Sequence, residues 1–125
     1  ISLQRDASAH ELSIGSRLET LGPDLDSNAA FIDTAAVIGC CDLVITNDSA
    51  IAHLSGALGA QTWVVLPVVS DWRWLINRTD SPWYPSVLLY RQRVLGDWAS
   101  VFEEISLALR RLAKRGQISN RSTKL

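Results

Sequence analysis

The 125-residue chain has only two cysteines, and they are neighbours, Cys40 and Cys41, in an apolar stretch. Such a pair reads as two small core residues of a reducing compartment, not as a disulfide framework. Both thiols are therefore expected to be reduced and mostly buried, in a cytoplasmic setting. No apolar run approaches the roughly 18 residues that a spanning helix needs, and Ile1-Ser2-Leu3-Gln4 opens as a strand, not as a signal peptide. No charge of one sign dominates: the net formal charge is -1, which gives no general attraction to nucleic acid or to an anionic membrane. An anionic ligand must be held locally. No G-x-G-x-x-G follows the first strand, which counts against a nicotinamide or flavin dehydrogenase. Neither a Ser-His-Asp set nor an H-E-x-x-H motif is legible. Asp24-Leu25-Asp26 has a metal-binding look but no supporting ligands, so neither a metal nor a cofactor is expected. The sequons at Asn47, Asn77 and Asn120 read as chance, since no secretory signal accompanies them.

What is present is an alternation of short apolar runs with longer helical stretches, the pattern of an α/β layer fold with a parallel sheet and helices on both faces. Residues 1–116 read as one domain and 117–125 as a polar tail. Ser8 to Glu11 fits a capping box for a short helix ending near Gly15. Arg17 to Leu21 is a further strand candidate, and residues 22–28 carry the turn formers of a loop. Asp33 is the expected N-cap of a helix Thr34–Cys40. Asp42–Thr46 is a buried-strand run, Ser49–Leu58 a helix stopped by Gly59, and Thr62–Leu66 the next buried strand. From Ser70 to Ser86 the sequence is rich in Trp, Pro and charge, which predicts a functional loop with a helical turn at its start. Val87–Tyr90 reads as a strand. Asp97 then caps a long helix with Val101, Phe102, Ile105, Leu109 and Leu112 on one face.

The strand, turn and helix from Asp42 to Gly59 form the most informative unit. The first N–H groups of a helix lack intrahelical partners and carry the positive end of its dipole, so a pyrophosphate can bind there without a lysine. Ser49 and Ala50 are small enough to leave the approach open. Ligands of open α/β sheets bind just outside the carboxyl ends of the strands, where this turn lies. His53, four residues after Ser49, falls on the same helical face and can donate a hydrogen bond toward a phosphate. The competing reading makes Asp48 and Ser49 an ordinary helix cap and His53 a packed core residue. In the loop, Trp74, Trp83 and Tyr84 are expected to pack it onto the sheet. Trp72 and Arg73 stand equally for packing or for contact with a sugar, a base or an acceptor.

Asp33-Thr-Ala-Ala-Val-Ile, Asp42-Leu-Val-Ile, Asp48-Ser-Ala-Ile-Ala-His and Ala57-Leu-Gly, in this order, resemble the donor-binding half of heptosyltransferase-like glycosyltransferases. Trp63-Val-Val-Leu-Pro, Asp71-Trp-Arg-Trp-Leu, Asp80-Ser-Pro-Trp-Tyr-Pro and Arg91-Gln are similar to the version at the C-terminus of bacterial tetratricopeptide-repeat proteins. The resemblance implies the C-terminal, Rossmann-like half of a GT-B fold, starting after that domain's first strand and helix. It implies a nucleotide diphosphate sugar held by Asp48 at the sugar hydroxyls and by Ser49, Ala50 and His53 at the diphosphate. Ser49 and Ala50 replace the family's frequent threonine and glycine, and Gln4-Arg5 a glutamine and lysine. Arg5 is a candidate for a phosphate oxygen, and Trp72 and Arg73 complete the candidate substrate-binding set.

The family's catalytic base comes from an N-terminal domain, so no catalytic residue is expected here and the chain alone should be inactive. The function implied is the donor domain of an inverting, metal-independent glycosyltransferase acting on an unknown acceptor, with the N-terminal glycosyltransferase domain or a repeat domain as its partner. The alternatives are a non-catalytic scaffold module beside repeats and a GT-B-related sugar-nucleotide epimerase.

Overall fold

The computed structural model describes residues 1–3 and 19–116. The expected helix from Ser8, the site candidate Arg5 and the tail 117–125 lie outside the described residues. The chain forms two compact units, Ile1–Val37 and Ile38–Leu125.

In the first unit Ser2 forms a parallel bridge with Thr20, and its N–H donates to the Glu19 carbonyl at 2.8 Å. Turns follow up to helix α1, Ile32–Cys40. Its cap is not the expected one. Asp33 lies inside the first turn, and the cap is Asp26, whose carboxylate accepts from the N–H groups of Asp33 at 2.9 Å and Thr34 at 3.1 Å and from the Thr34 hydroxyl at 2.6 Å. The Asp33 carboxylate in turn accepts from the Asp26 N–H at 2.8 Å. Two orphan helix donors are thus satisfied from seven and eight residues upstream, beyond the reach of any local capping pattern.

The second unit holds a three-stranded parallel sheet of β1 (Val44–Asn47), β2 (Thr62–Leu66) and β3 (Val87–Arg91), in that spatial order. Val44 pairs with Thr62 and Asn47 with Val65, while Thr62 pairs with Val87 and Leu66 with Arg91. All five residues of β2 are buried, as a central strand covered on both faces must be, which is why it reads as an unbroken apolar run.

Alternate side chains of β2 serve different cores. Val64 and Leu66 join Ala52, Trp74, Val87 and Leu89, with Tyr84 packed against them. Trp63 and Val65 join Val101, Ile105 and Leu112. The first core includes helix α2, Ala50–Ala57, and the second helix α3, Trp98–Lys114, so the sheet has helices on both faces and the α/β, Rossmann-like class holds. Asp97 caps α3 as expected, its carboxylate accepting from the Ser100 N–H at 3.2 Å. Among the described residues no helix is long and apolar enough to cross a membrane.

The expectations for the cysteines and for Phe102 also fail. Cys40 is exposed and Cys41 half-buried, because they fall at the end of α1 and just past it, where the local apolar run does not report on packing. Phe102 is 55% exposed. One residue on from Val101 it turns about 100° away from the core-facing stripe, and with Ile45, Thr46, Asn47, Val65 and Trp98 it lines an open groove of about 410 Å³.

Candidate functional site

The carboxyl end of β1 runs directly into the turn Asn47-Asp48-Ser49 and then into α2. Asp48 and Ala50 are exposed and Ser49 is half-buried. Ser49 occupies the N-cap position with extended backbone angles, yet its side chain makes no capping hydrogen bond. Its hydroxyl instead lies 3.1 Å from the Thr46 hydroxyl on the preceding strand. The opening of α2 is thus left without the serine cap that a purely structural role would supply.

His53 sits one turn further along α2, half-buried, between two aromatic residues of the 70–86 loop. Trp74 stacks on it with ring centroids 5.1 Å apart and planes 20° from parallel. Tyr84 meets it edge-on at 5.8 Å, with its hydroxyl 3.1 Å from Nδ1. Trp74 is fully buried, as expected for a residue that fastens the loop to the sheet. Tyr84 lies over Gly56, where a Cβ would come within 2.5 Å of the tyrosine ring. Only glycine allows that approach of helix and ring.

The loop begins with the helical turn Trp72–Trp74, capped by Asp71. The Asp71 carboxylate accepts from the Arg73 N–H at 3.0 Å and from its guanidinium at 2.9 Å. These bonds, the backbone one foremost, together with the charge of the Arg73 guanidinium, hold its pKa below the ordinary carboxylate value. Arg73 also lies over the Trp72 ring at 4.9 Å, and its carbonyl accepts from the Trp83 indole N–H at 2.8 Å. Trp72 is 67% exposed and meets Trp83 edge-on at 6.4 Å. Trp83, expected to pack, is instead 55% exposed, since its indole is held to the loop backbone and not to the sheet.

A further residue fixes this loop. Arg91, at the end of β3, donates to the Ser70 hydroxyl and to the carbonyls of Trp74, at 3.2 Å, and Leu75, at 2.8 Å. Burial lowers its pKa from the usual arginine value. Its clamp, like the His53–Tyr84 contact, spans many residues of sequence and left no local signature. The structure therefore brings His53, Trp74 and Tyr84 together, and Asp71, Trp72, Arg73 and Trp83 together. Among the described residues no group of three or more His, Cys, Asp or Glu side chains is arranged to hold a metal.

A parallel α/β sheet with a polar turn at a strand's carboxyl end is consistent with a glycosyltransferase fragment, and comparison with known proteins gives the family it resembles. Residues 8–65, just under half of the chain, match the sequence profile of Glycosyltransferase family 9 (heptosyltransferase). The matched stretch includes β1, the Asp48 turn and His53. The match supports a heptosyltransferase-like glycosyltransferase domain. The chain is also 34% identical over 89 residues to Protein FlbA of Caulobacter vibrioides, covering 71% of this chain and 15% of that protein. The chain thus spans about a seventh of that curated relative's length. No solved structure matches.

Proposed function

We propose that the chain is the donor-binding domain of an inverting, metal-independent glycosyltransferase that moves a sugar from a nucleotide diphosphate sugar to an acceptor. The observation that carries this reading is the uncapped opening of α2, which follows a strand's carboxyl end within the segment matched by the family profile. Free N–H groups and the positive end of the helix dipole suit a diphosphate and would stabilise the charge developing on the leaving group. Ser49 and Ala50 give the approach, His53 donates to a phosphate oxygen and Asp48 accepts from sugar hydroxyls. Arg5 is a second phosphate ligand, and exposed Trp72 and Arg73 border the sugar or acceptor.

Catalysis requires groups from a separate N-terminal domain, so this chain alone binds but does not turn over. Its setting is cytoplasmic, beside a glycosyltransferase half or tetratricopeptide repeats. Calorimetric titration with UDP, GDP and ADP tests the reading. At least one should bind, in roughly the 0.1–1 mM range, because a lone domain keeps only part of the contacts. His53→Ala should weaken that binding at a temperature where both proteins are folded. Absence of binding at millimolar nucleotide would favour a scaffold module instead.

A further inference from the structure

Several constraints converge on the hydroxyl of Tyr84. The Ser81 hydroxyl, buried in the loop, accepts from the N–H groups of Trp83 at 3.2 Å and Tyr84 at 3.3 Å. The Tyr84 carbonyl accepts from the Val87 N–H at 3.0 Å, tying the residue to the start of β3. Its ring is seated where Gly56 leaves no side chain. The hydroxyl is thereby delivered to 3.1 Å from His53 Nδ1, and it is the one hydrogen-bond partner of that ring among the described residues. Trp74, stacked on the imidazole, limits its rotation.

An uncharged imidazole has one N–H and one bare nitrogen, and the hydrogen bond made at one nitrogen decides which tautomer forms. A bare imidazole nitrogen is a stronger acceptor than a phenol oxygen, and a phenol is a good donor. The favourable pairing therefore runs from the Tyr84 hydroxyl to Nδ1, which leaves the hydrogen on Nε2. The reverse pairing would put a lone pair on Nε2, and that atom would repel an anionic oxygen. Resting on the donor-site reading, we propose that Tyr84 is a positioning residue. Its hydroxyl fixes His53 as the Nε2–H tautomer and so makes Nε2 the donor offered to the diphosphate.

Tyr84→Phe keeps the ring over Gly56 and its edge contact with His53 while removing only the hydroxyl. Nitrogen-15 histidine spectra of the full chain, with the second ring identified by His10→Gln, report the tautomer directly. Wild type should show a bare Nδ1 and a protonated Nε2. In Tyr84→Phe the two tautomers should mix, and affinity for the best of UDP, GDP and ADP should fall roughly two- to tenfold. A merely structural tyrosine would move the melting temperature and leave the tautomer alone. An unchanged tautomer in Tyr84→Phe, or a protonated Nδ1 in wild type, overturns the inference whatever nucleotide binds. A tautomer that depends on Tyr84 in a chain that binds no nucleotide overturns the donor-site reading, and the ligand role with it.

Discussion

The two faces of the sheet are closed by different means. One is covered by α3, seventeen residues long, whose Val101, Ile105 and Leu112 repeat at helical spacing and pack against Trp63 and Val65. The other is covered by the eight residues of α2 together with an irregular loop, and its closure depends on Trp74, Tyr84 and Gly56 fitting one another. The first face is a repeated pattern in which each residue contributes a similar share. The second is a set of matched shapes, and it carries His53. A surface that must present polar groups at a strand end cannot also be an uninterrupted apolar stripe, so its packing is concentrated in a few large residues.

Substitutions can break this contrast, and the largest effect is expected at Trp74. Trp74→Ala empties a fully buried indole site and should cost about 3–5 kcal/mol in denaturant unfolding. It should also free the His53 ring, detectable as loss of any nucleotide affinity. Gly56→Ala should cost about 1–3 kcal/mol through collision with the Tyr84 ring. Most glycine-to-alanine changes inside a helix have the opposite sign. On the other face Ile105→Val should cost only about 0.5–1.5 kcal/mol, and Phe102→Ser, at an exposed position, within about 0.5 kcal/mol. If Ile105→Val proved costlier than Gly56→Ala, the distinction between patterned and fitted faces would fail.

The smallest expected effect is one of pH. Hydrogen bonds from the Ser100 side chain and backbone lower the pKa of Asp97 in the folded chain. A carboxylate with a lowered folded pKa contributes stability above its unfolded value, and loses it as pH falls through the folded one. Melting temperature measured across the acid range should therefore fall less steeply below about pH 4 in Asp97→Asn than in wild type.

The same contrast explains what the sequence disclosed. β2 was legible because a strand buried on both faces is a continuous apolar run, and α3 because Asp97 caps it and Val101, Ile105 and Leu112 repeat behind it. The loop between β2 and β3, with a helical turn at its start, was legible from its tryptophans and prolines, and the strand, turn and helix around Asp48 from turn chemistry and small residues. What stayed hidden depends on distance along the chain. Asp26 reaches seven and eight residues forward to cap α1, Tyr84 reaches His53 across thirty-one, and Arg91 binds carbonyls sixteen and seventeen residues earlier. Local spacing carries no record of such pairings. Cys40 and Phe102 mislead for a related reason, since an apolar neighbourhood in sequence does not decide which way one side chain turns.

If the opening of α2 holds a nucleotide diphosphate, the backbone amides around it will register the ligand. In a titration of the nitrogen-15-labelled chain with UDP, GDP and ADP, the amides of Ser49, Ala50 and Ile51 and the ring of His53 should shift together and saturate with at least one nucleotide. The indole of Trp98, in the groove at the start of α3, should stay where it is. Shifts confined to Trp98 and Phe102, or none anywhere at millimolar nucleotide, would mean that α2 is not the diphosphate site.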